Sequence, residues 1–289
     1  MRVSAFCPGH VSCVFQPIKS YDDLSTGSRG FGIRLSKGAH ATVEMRDDDV
    51  VNIYLDGVNS VAHVTRMAAQ SLAPGVGFDI SIENDLPVSQ GFGMSAAGAI
   101  SASLCIADIM GIPRTKAFMA AHVAEVNGGG GLGDVAAIVA GRDVPIRTVP
   151  GFPPFGRVES AGLRLEELTL VVIGRAMKTD SVLGDPNMVN VIRSVGDAAM
   201  DMFLEDPTLD NLYATSNWFS ERAGVESAAV RKAIVRLQSR GYRAGMCMLG
   251  NSIFTDAPED VVLSVLGRGG ARAFRCPSSS KETMVTRRE

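Results

Sequence analysis

An excess of charge of either sign is missing from this sequence. Its 28 Lys and Arg residues face 31 Asp and Glu, a net charge of −3, and only 20% of the chain is charged. A phosphate-backbone partner needs clustered Lys and Arg, so nucleic acid is not expected as a principal ligand. The five cysteines, Cys7, Cys13, Cys105, Cys247 and Cys276, are scattered, and the four histidines form no His-Glu-x-x-His pattern. That spacing speaks against a zinc site and for reduced thiols. Long apolar runs are absent too. The longest, Ala96 to Met110, is interrupted by Ser101, Ser103 and Asp108 and is too short to span a bilayer. With no charged segment and long apolar stretch at the N-terminus, no signal peptide is expected, and the chain reads as soluble and cytoplasmic with no membrane partner. Internal repeats and low-complexity tracts are also missing.

What the chain does have is apolar content and glycine. At 46% hydrophobic with 31 glycines in 289 residues, it can bury a sizeable core as one large domain or two of ordinary size. The stretch 87–97, Pro-Val-Ser-Gln-Gly-Phe-Gly-Met-Ser-Ala-Ala, leads into the apolar run that Gly111 and Pro113 terminate. Gly91 and Gly93 permit positive φ, and Ser95 falls where a helix N-cap belongs. A flexible loop opening onto a helix N-terminus gathers free N–H groups and the positive end of the dipole, which suits a phosphate. Ordinary loop chemistry explains the same residues.

Other segments carry their own expectations. Residues 3–15 read as a strand broken at Cys7-Pro8-Gly9-His10. The loop 26–34 combines Gly27, Gly30 and Gly32 with Ser28 and Arg29, a design for wrapping an anion or for a solvated turn. Residues 40–46 and 50–55 alternate as a β-hairpin whose tip, Asp47-Asp48-Asp49, reads as a solvated turn. Helical spacing marks 59–72, and alternation marks a strand at 78–83. A helix is expected over 114–127, with His122 and Glu125 on one face. It runs into Gly128 to Gly131, Leu132, Gly133 and Asp134, where five glycines in six residues suggest close backbone approach to a ligand. A short strand, 144–149, carries Arg147, and 150–156 is the candidate domain boundary. Beyond it come a strand at 167–174, helices near 180–204, 208–222 and 225–240, strands within 243–255, a helix at 258–267 and a strand at 271–276. The last dozen residues are expected to fray.

The 87–97 stretch resembles the second motif of the GHMP kinases, Pro-x-x-x-Gly-Leu-Gly-Ser-Ser-Ala-Ala. Pro87, Gly91, Gly93, Ser95, Ala96 and Ala97 match it, while Phe92 replaces leucine and Met94 the first serine. Pro8, Gly9 and Val11 loosely match the family's first motif, with His10 where Arg or Lys is usual. In some relatives that basic residue assists the nucleophile. Together with the 27–30 loop, the 131–135 turn and Met248 to Phe254, the pattern is most similar to the archaeal pantoate kinase branch.

The resemblance implies an α+β, two-domain GHMP kinase fold: a ribosomal protein S5 domain 2-like unit over 1–155 and a ferredoxin-like α+β sandwich over 156–289. It implies ATP on the 87–97 loop (Pro87, Gly91, Phe92, Gly93, Met94, Ser95, Ala96, Ala97), Mg2+ on Ser95 and Glu125, and Asp134 as the catalytic base. Ser28, Arg29, His122 and Arg147 would hold pantoate as its hydroxyl becomes 4-phosphopantoate for coenzyme A synthesis. A homodimer is expected by the same likeness. Two alternatives stay open: a kinase for another small alcohol such as mevalonate, homoserine or a sugar, and a non-catalytic nucleotide sensor.

Overall fold

The computed structural model describes residues 1–176, 184–267 and 271–288. Two long strands, β1 (Arg2–Ile18) and β2 (Gly27–Met45), pair antiparallel and form the spine of the first sheet. Both are rich in buried Val, Ile, Phe and Ala, as residues packed on both faces must be. β1 is not broken at Pro8-Gly9, as the sequence suggested. Its register slips instead between Pro8 and His10 and again between Ser12 and Val14. Such irregularities accommodate a proline that cannot donate to the ladder and re-aim the side chains between them, here His10 and Ser12.

After β2 come β3 (Val51–Leu55), β4 (Val58–Asn59), helix α1 (His63–Leu72) and β5 (Phe78–Asn84). The expected hairpin between 40–46 and 50–55 does not form. β5 inserts between the two strands, antiparallel to β2 and parallel to β3. Arg46 helps to fix this order, bonding Asp48 at 2.6 Å and Asp79 of β5 at 3.0 Å. The turn residues Asp47–Asp49 are solvated, as read.

Helix α2 (Met94–Met110) is buried on nearly every side, and Gly111 ends it in the left-handed conformation at φ 65°. α3 (Arg114–Asn127) starts directly after Pro113, α4 (Asp134–Val139) follows the glycine turn, and β6 (Pro145–Val149) and β7 (Arg157–Ser160) pair with each other. β6 also pairs with Gly30 and Phe31 of β2, which brings Arg147 opposite Gly30.

The second sheet contains β8 (Thr169–Val172), β9 (Ala244–Met246), β10 (Ser252–Thr255) and β11 (Arg272–Arg275), in the order β11-β8-β10-β9 and wholly antiparallel. Helices α5 (Pro186–Glu205), α6 (Leu209–Ala223), α7 (Ala228–Gln238) and α8 (Glu259–Leu266) complete this half. A split β-α-β sheet with that order is the expected ferredoxin-like sandwich. The expected start of a helix at 180–183 lies outside the described residues.

The expected fraying of the tail does not occur over 284–288. These residues form β12 (Met284–Arg288), which pairs with β1 as the edge of the first sheet. β7 and β12 both lie beyond residue 155 yet belong to the first sheet, so a boundary at 155/156 does not separate the two sheets. One continuous core runs through both halves. Phe31 stacks on Phe203 of α5 at 3.9 Å, and Phe15 meets Phe219 of α6 edge-on at 5.7 Å.

Candidate active site

The loop before α2 is bent by three positive φ angles, at Ser89 (58°), Gly91 (75°) and Gly93 (66°). Gly93, not Ser95, is the helix N-cap. Glycine enters the left-handed region without a Cβ penalty, so the helix starts at Met94 and Ser95 becomes an exposed residue of its first turn. The hydroxyl it was expected to spend on capping is thereby left free. Ala97 N–H bonds Gly93 O at 3.0 Å, leaving the N–H groups of Met94, Ser95 and Ala96 without intrahelical acceptors.

Two segments hold this loop in place. His10 N–H donates to Phe92 O at 3.1 Å, and a Cβ on Gly9 would meet the same carbonyl at 2.6 Å. From the second sheet, Ser252 Oγ donates to Gln90 O, and a Cβ on Gly91 would meet Met248 O at 2.6 Å. Backbone therefore approaches backbone on both sides, which only glycine permits at these points.

A cleft of about 290 Å³ opens beside the loop, lined by Gly91 to Ala96, Glu125, Gly128 to Gly131, Asp134, Ser12, Met248 and Leu249. Ser95, about 30 residues upstream, thus faces one space with Glu125 and Asp134. A second cleft of about 290 Å³ adjoins it, sharing Ser89, Met94 and Ser95 and adding Leu55, His63, Thr65, Asn84 and Val88.

Glu125 is 2% exposed, and its Oε2 accepts one long bond, 3.5 Å, from Val135 N–H. Burial, reinforced by the neighbouring Asp134 carboxylate, pushes its pKa up to about 8. Asp134 opens α4 and stays partly exposed at 22%. Its Oδ1 accepts a 2.8 Å bond from Nδ1–H of His10, whose own pKa burial pulls below the usual value. Oδ2 accepts no bond among the described residues and lies on the side of Gly131, where a Cβ would approach it at 3.2 Å.

Arg147 and Ser28 meet behind the glycine turn rather than on the cleft wall. Arg147 is 1% exposed; its Nε donates to Ser28 O at 3.3 Å, and its Nη2 donates to Ser12 Oγ and Val14 O, each at 3.4 Å. Its Nη1 and the Ser28 hydroxyl have no hydrogen-bond partner among the described residues. Gly133 separates this pair from Asp134, and a Cβ there would collide with Ser28 Oγ and stand 2.7 Å from Arg147 Nε.

Two of the other sequence-derived residues are not brought to the cleft. His122 is buried, with Nε2–H donating to Asp23 O and Thr26 O at 3.1 Å and its ring against Phe152, so it anchors the 23–26 loop. Arg29 pairs with Asp197 at 2.8 Å and with Gln16, tying β2 to α5. Pro87 and Ala97 support the loop and helix from outside the cleft lining. Sequence reasoning left His10 without a role, missed Ser12, and named Met248 and Leu249 only within a matching stretch and not as cleft residues. The only available signal was their position in the two stretches that flank the loop in space.

The GHMP kinases N terminal domain matches residues 58–142. The pantoate kinase of Methanospirillum hungatei is 31% identical over 261 residues, covering 88% of this chain and 86% of that protein. The pantoate kinase of Thermococcus kodakarensis is 28% identical over 267 residues, covering 88% and 87%. Among solved structures, a "phosphotransferase related to CoA biosynthesis pathway" superposes with a TM-score of 0.88 at 25% identity, covering 99% of both chains. The chain belongs to the GHMP kinase family of ATP-dependent small-molecule kinases. Within that family it lies close to the archaeal pantoate kinases.

Proposed function

We propose that the protein is a pantoate kinase that transfers the γ-phosphate of ATP to the primary hydroxyl of pantoate, giving 4-phosphopantoate for coenzyme A synthesis. The observation that carries this reading is the convergence of a helix N-terminus and two carboxylates of unlike depth on one cleft. The free N–H groups of Met94 to Ala96 and the α2 dipole would hold the triphosphate, and the adjoining cleft would take the nucleoside. The covering of both clefts by the same loop favours a single bound nucleotide.

The donor set fits magnesium. Glu125 is a buried carboxylate accepting one long hydrogen bond, and the exposed Ser95 lines the same cleft with its hydroxyl. No group of three or more His, Cys, Asp or Glu residues that could hold a metal occurs among the described residues. Magnesium needs none, because it accepts one or two protein oxygens and completes its shell with phosphate and water. Bound there, it would neutralise charge on the transferring phosphoryl group. Asp134 would receive the proton of the attacking hydroxyl on Oδ2. Arg147 and Ser28, whose Nη1 and Oγ lack hydrogen-bond partners among the described residues, would take the pantoate carboxylate once the 128–133 turn shifts, and Ser12 would guide it from the cleft wall.

A coupled ADP-release assay with pantoate, mevalonate, homoserine and galactose tests this, with the product identified by mass. Pantoate is expected to exceed the others in kcat/KM by about 100-fold or more, as a site built on charge-assisted bonds should discriminate. Turnover of another alcohol instead would reassign the substrate. Nucleotide binding with no ADP release would leave a sensor.

A further inference from the structure

We propose that His10 is a positioning residue for Asp134: a neutral imidazole whose Nδ1–H fixes Oδ1 and so commits Oδ2 to the incoming hydroxyl. The proposal rests on the kinase reading above and adds a residue to it.

Four observations meet at this side chain. His10 is completely buried, between two irregularities in the β1 register that turn it toward α4. Its Nδ1 lies 2.8 Å from Asp134 Oδ1, across 124 residues of sequence. A carboxylate oxygen accepts, so Nδ1 carries the proton in this tautomer. Nε2 has no hydrogen-bond partner among the described residues. The edge of the ring carrying Nε2 rests against Gly32, where a Cβ would overlap Nε2 and meet Cε1 at 2.7 Å. A proton on Nε2 would find no acceptor among the described residues. The Arg147 and Arg34 guanidinium groups nearby further oppose a positive imidazole.

The same residue touches the phosphate loop through its backbone. Its N–H bonds Phe92 O, and a Cβ on Gly93 would stand 2.8 Å from His10 O. One residue therefore sets the base and the helix mouth in a fixed relation. A carboxylate with both oxygens unbound rotates about χ2, whereas one tied at Oδ1 presents a single lone-pair set to the hydroxyl. Geometry of this kind is worth a large factor, because a 1 Å misplacement of a reacting group costs about 100-fold in rate. This role differs from that of the Arg or Lys usual at this place in the family pattern, since His10 supplies a directed N–H rather than a charge.

The experiment compares His10→Leu, His10→Asn and His10→Lys with wild type, each also in an Asp134→Asn background, measured on whichever alcohol supports ADP release. Asn places an amide N–H close to the Nδ1 position, Leu keeps bulk without a donor, and Lys supplies charge. Leu is expected to lower kcat by about 10–100-fold with the KM for ATP within about 2-fold, and Asn to recover most of that loss. In the Asp134→Asn background, Leu should change kcat by less than about 3-fold, because the two residues act as one unit. The same loss in both backgrounds would make His10 merely structural, and recovery by Lys but not Asn would make charge the cause; either overturns the proposal. Nitrogen-15 NMR of the imidazole gives a reading free of turnover: Nδ1 is expected protonated and Nε2 bare at pH 7. The opposite tautomer or an imidazolium would end the argument even if pantoate proves the wrong substrate.

Discussion

Asp134 and Glu125 face the same cleft from different depths, and depth decides what each can do. The partly exposed Asp134 keeps one oxygen free of hydrogen bonds among the described residues, while burial and the neighbouring carboxylate push the Glu125 pKa up to about 8. Asp134→Asn is expected to lower kcat by about 10²–10⁴-fold, the usual contribution of a positioned base, with the KM for ATP nearly unchanged. Steady-state kinetics checks it. Glu125→Gln should raise the magnesium concentration needed for half-maximal activity, which a metal titration reads directly. His122 carries a different prediction. Burial lowers its pKa below the usual 6.5. Below pH 6.5 the unfolded chain therefore takes up a proton that the folded imidazole refuses, so stability is lost as the pH falls toward the lowered value. His122→Gln keeps an N–H for Asp23 O and Thr26 O, removes the titration, and is expected to flatten the dependence of Tm on pH between 5 and 6.5. That Glu125 and Asp134 share a cleft was expected through the family resemblance, which their spacing around a glycine turn helps to carry. The His10–Asp134 bond was not, because 124 residues separate its ends and no local pattern encodes a contact of that range.

At the scale of single elements, local rules served helices well and strand pairing poorly. Pro113 and Gly128 bound α3 where the sequence put its ends, since a helix closes its hydrogen bonds within itself. β3 and the end of β2 alternate as a hairpin would, yet alternation says which face is buried and not which strand lies alongside, and β5 took the place between them. Ser95 was misplaced by two residues for a related reason: a serine and a left-handed glycine both cap helices, and here the glycine came first. The turn 128–133 is the element most exposed to test. A methyl group at Gly133 would push on Ser28 Oγ and Arg147 Nε. Gly133→Ala is therefore expected to raise the KM for pantoate by about 10-fold, the value of roughly one charge-assisted bond, and to leave the KM for ATP within about 2-fold. Equal rises for both substrates would separate Arg147 from acceptor binding.

Across the whole molecule, the two sheets are joined by more than a linker. Phe15 and Phe31 of the first half pack on Phe219 and Phe203 of the second, and Arg34, 1% exposed, reaches from β2 to Ser279 O at 2.6 Å and Thr283 Oγ1 at 3.4 Å. The mixed α+β character of the second half was legible from its breaks between strands and helices, whereas its ferredoxin-like form was expected only through the family resemblance. The return of 284–288 was not, since this short segment with two arginines reads as a polar tail until it meets the open side of β1. Deleting residues 284–289 is expected to lower Tm by more than about 4 °C, which at this size corresponds to more than about 1 kcal/mol, and to promote self-association through the bared strand. Thermal melts and size-exclusion chromatography report both, and an unchanged Tm would show the strand to be dispensable.

Pairing of Val3 with Arg288 has a temporal side as well. While the polypeptide leaves the ribosome, this flank of β1 must wait, unmated, through about 270 further residues until 284–288 are translated. The first sheet consequently cannot close its edge vectorially, and a chaperone that shields nascent β-edges would be most useful to this protein before residues 284–288 emerge.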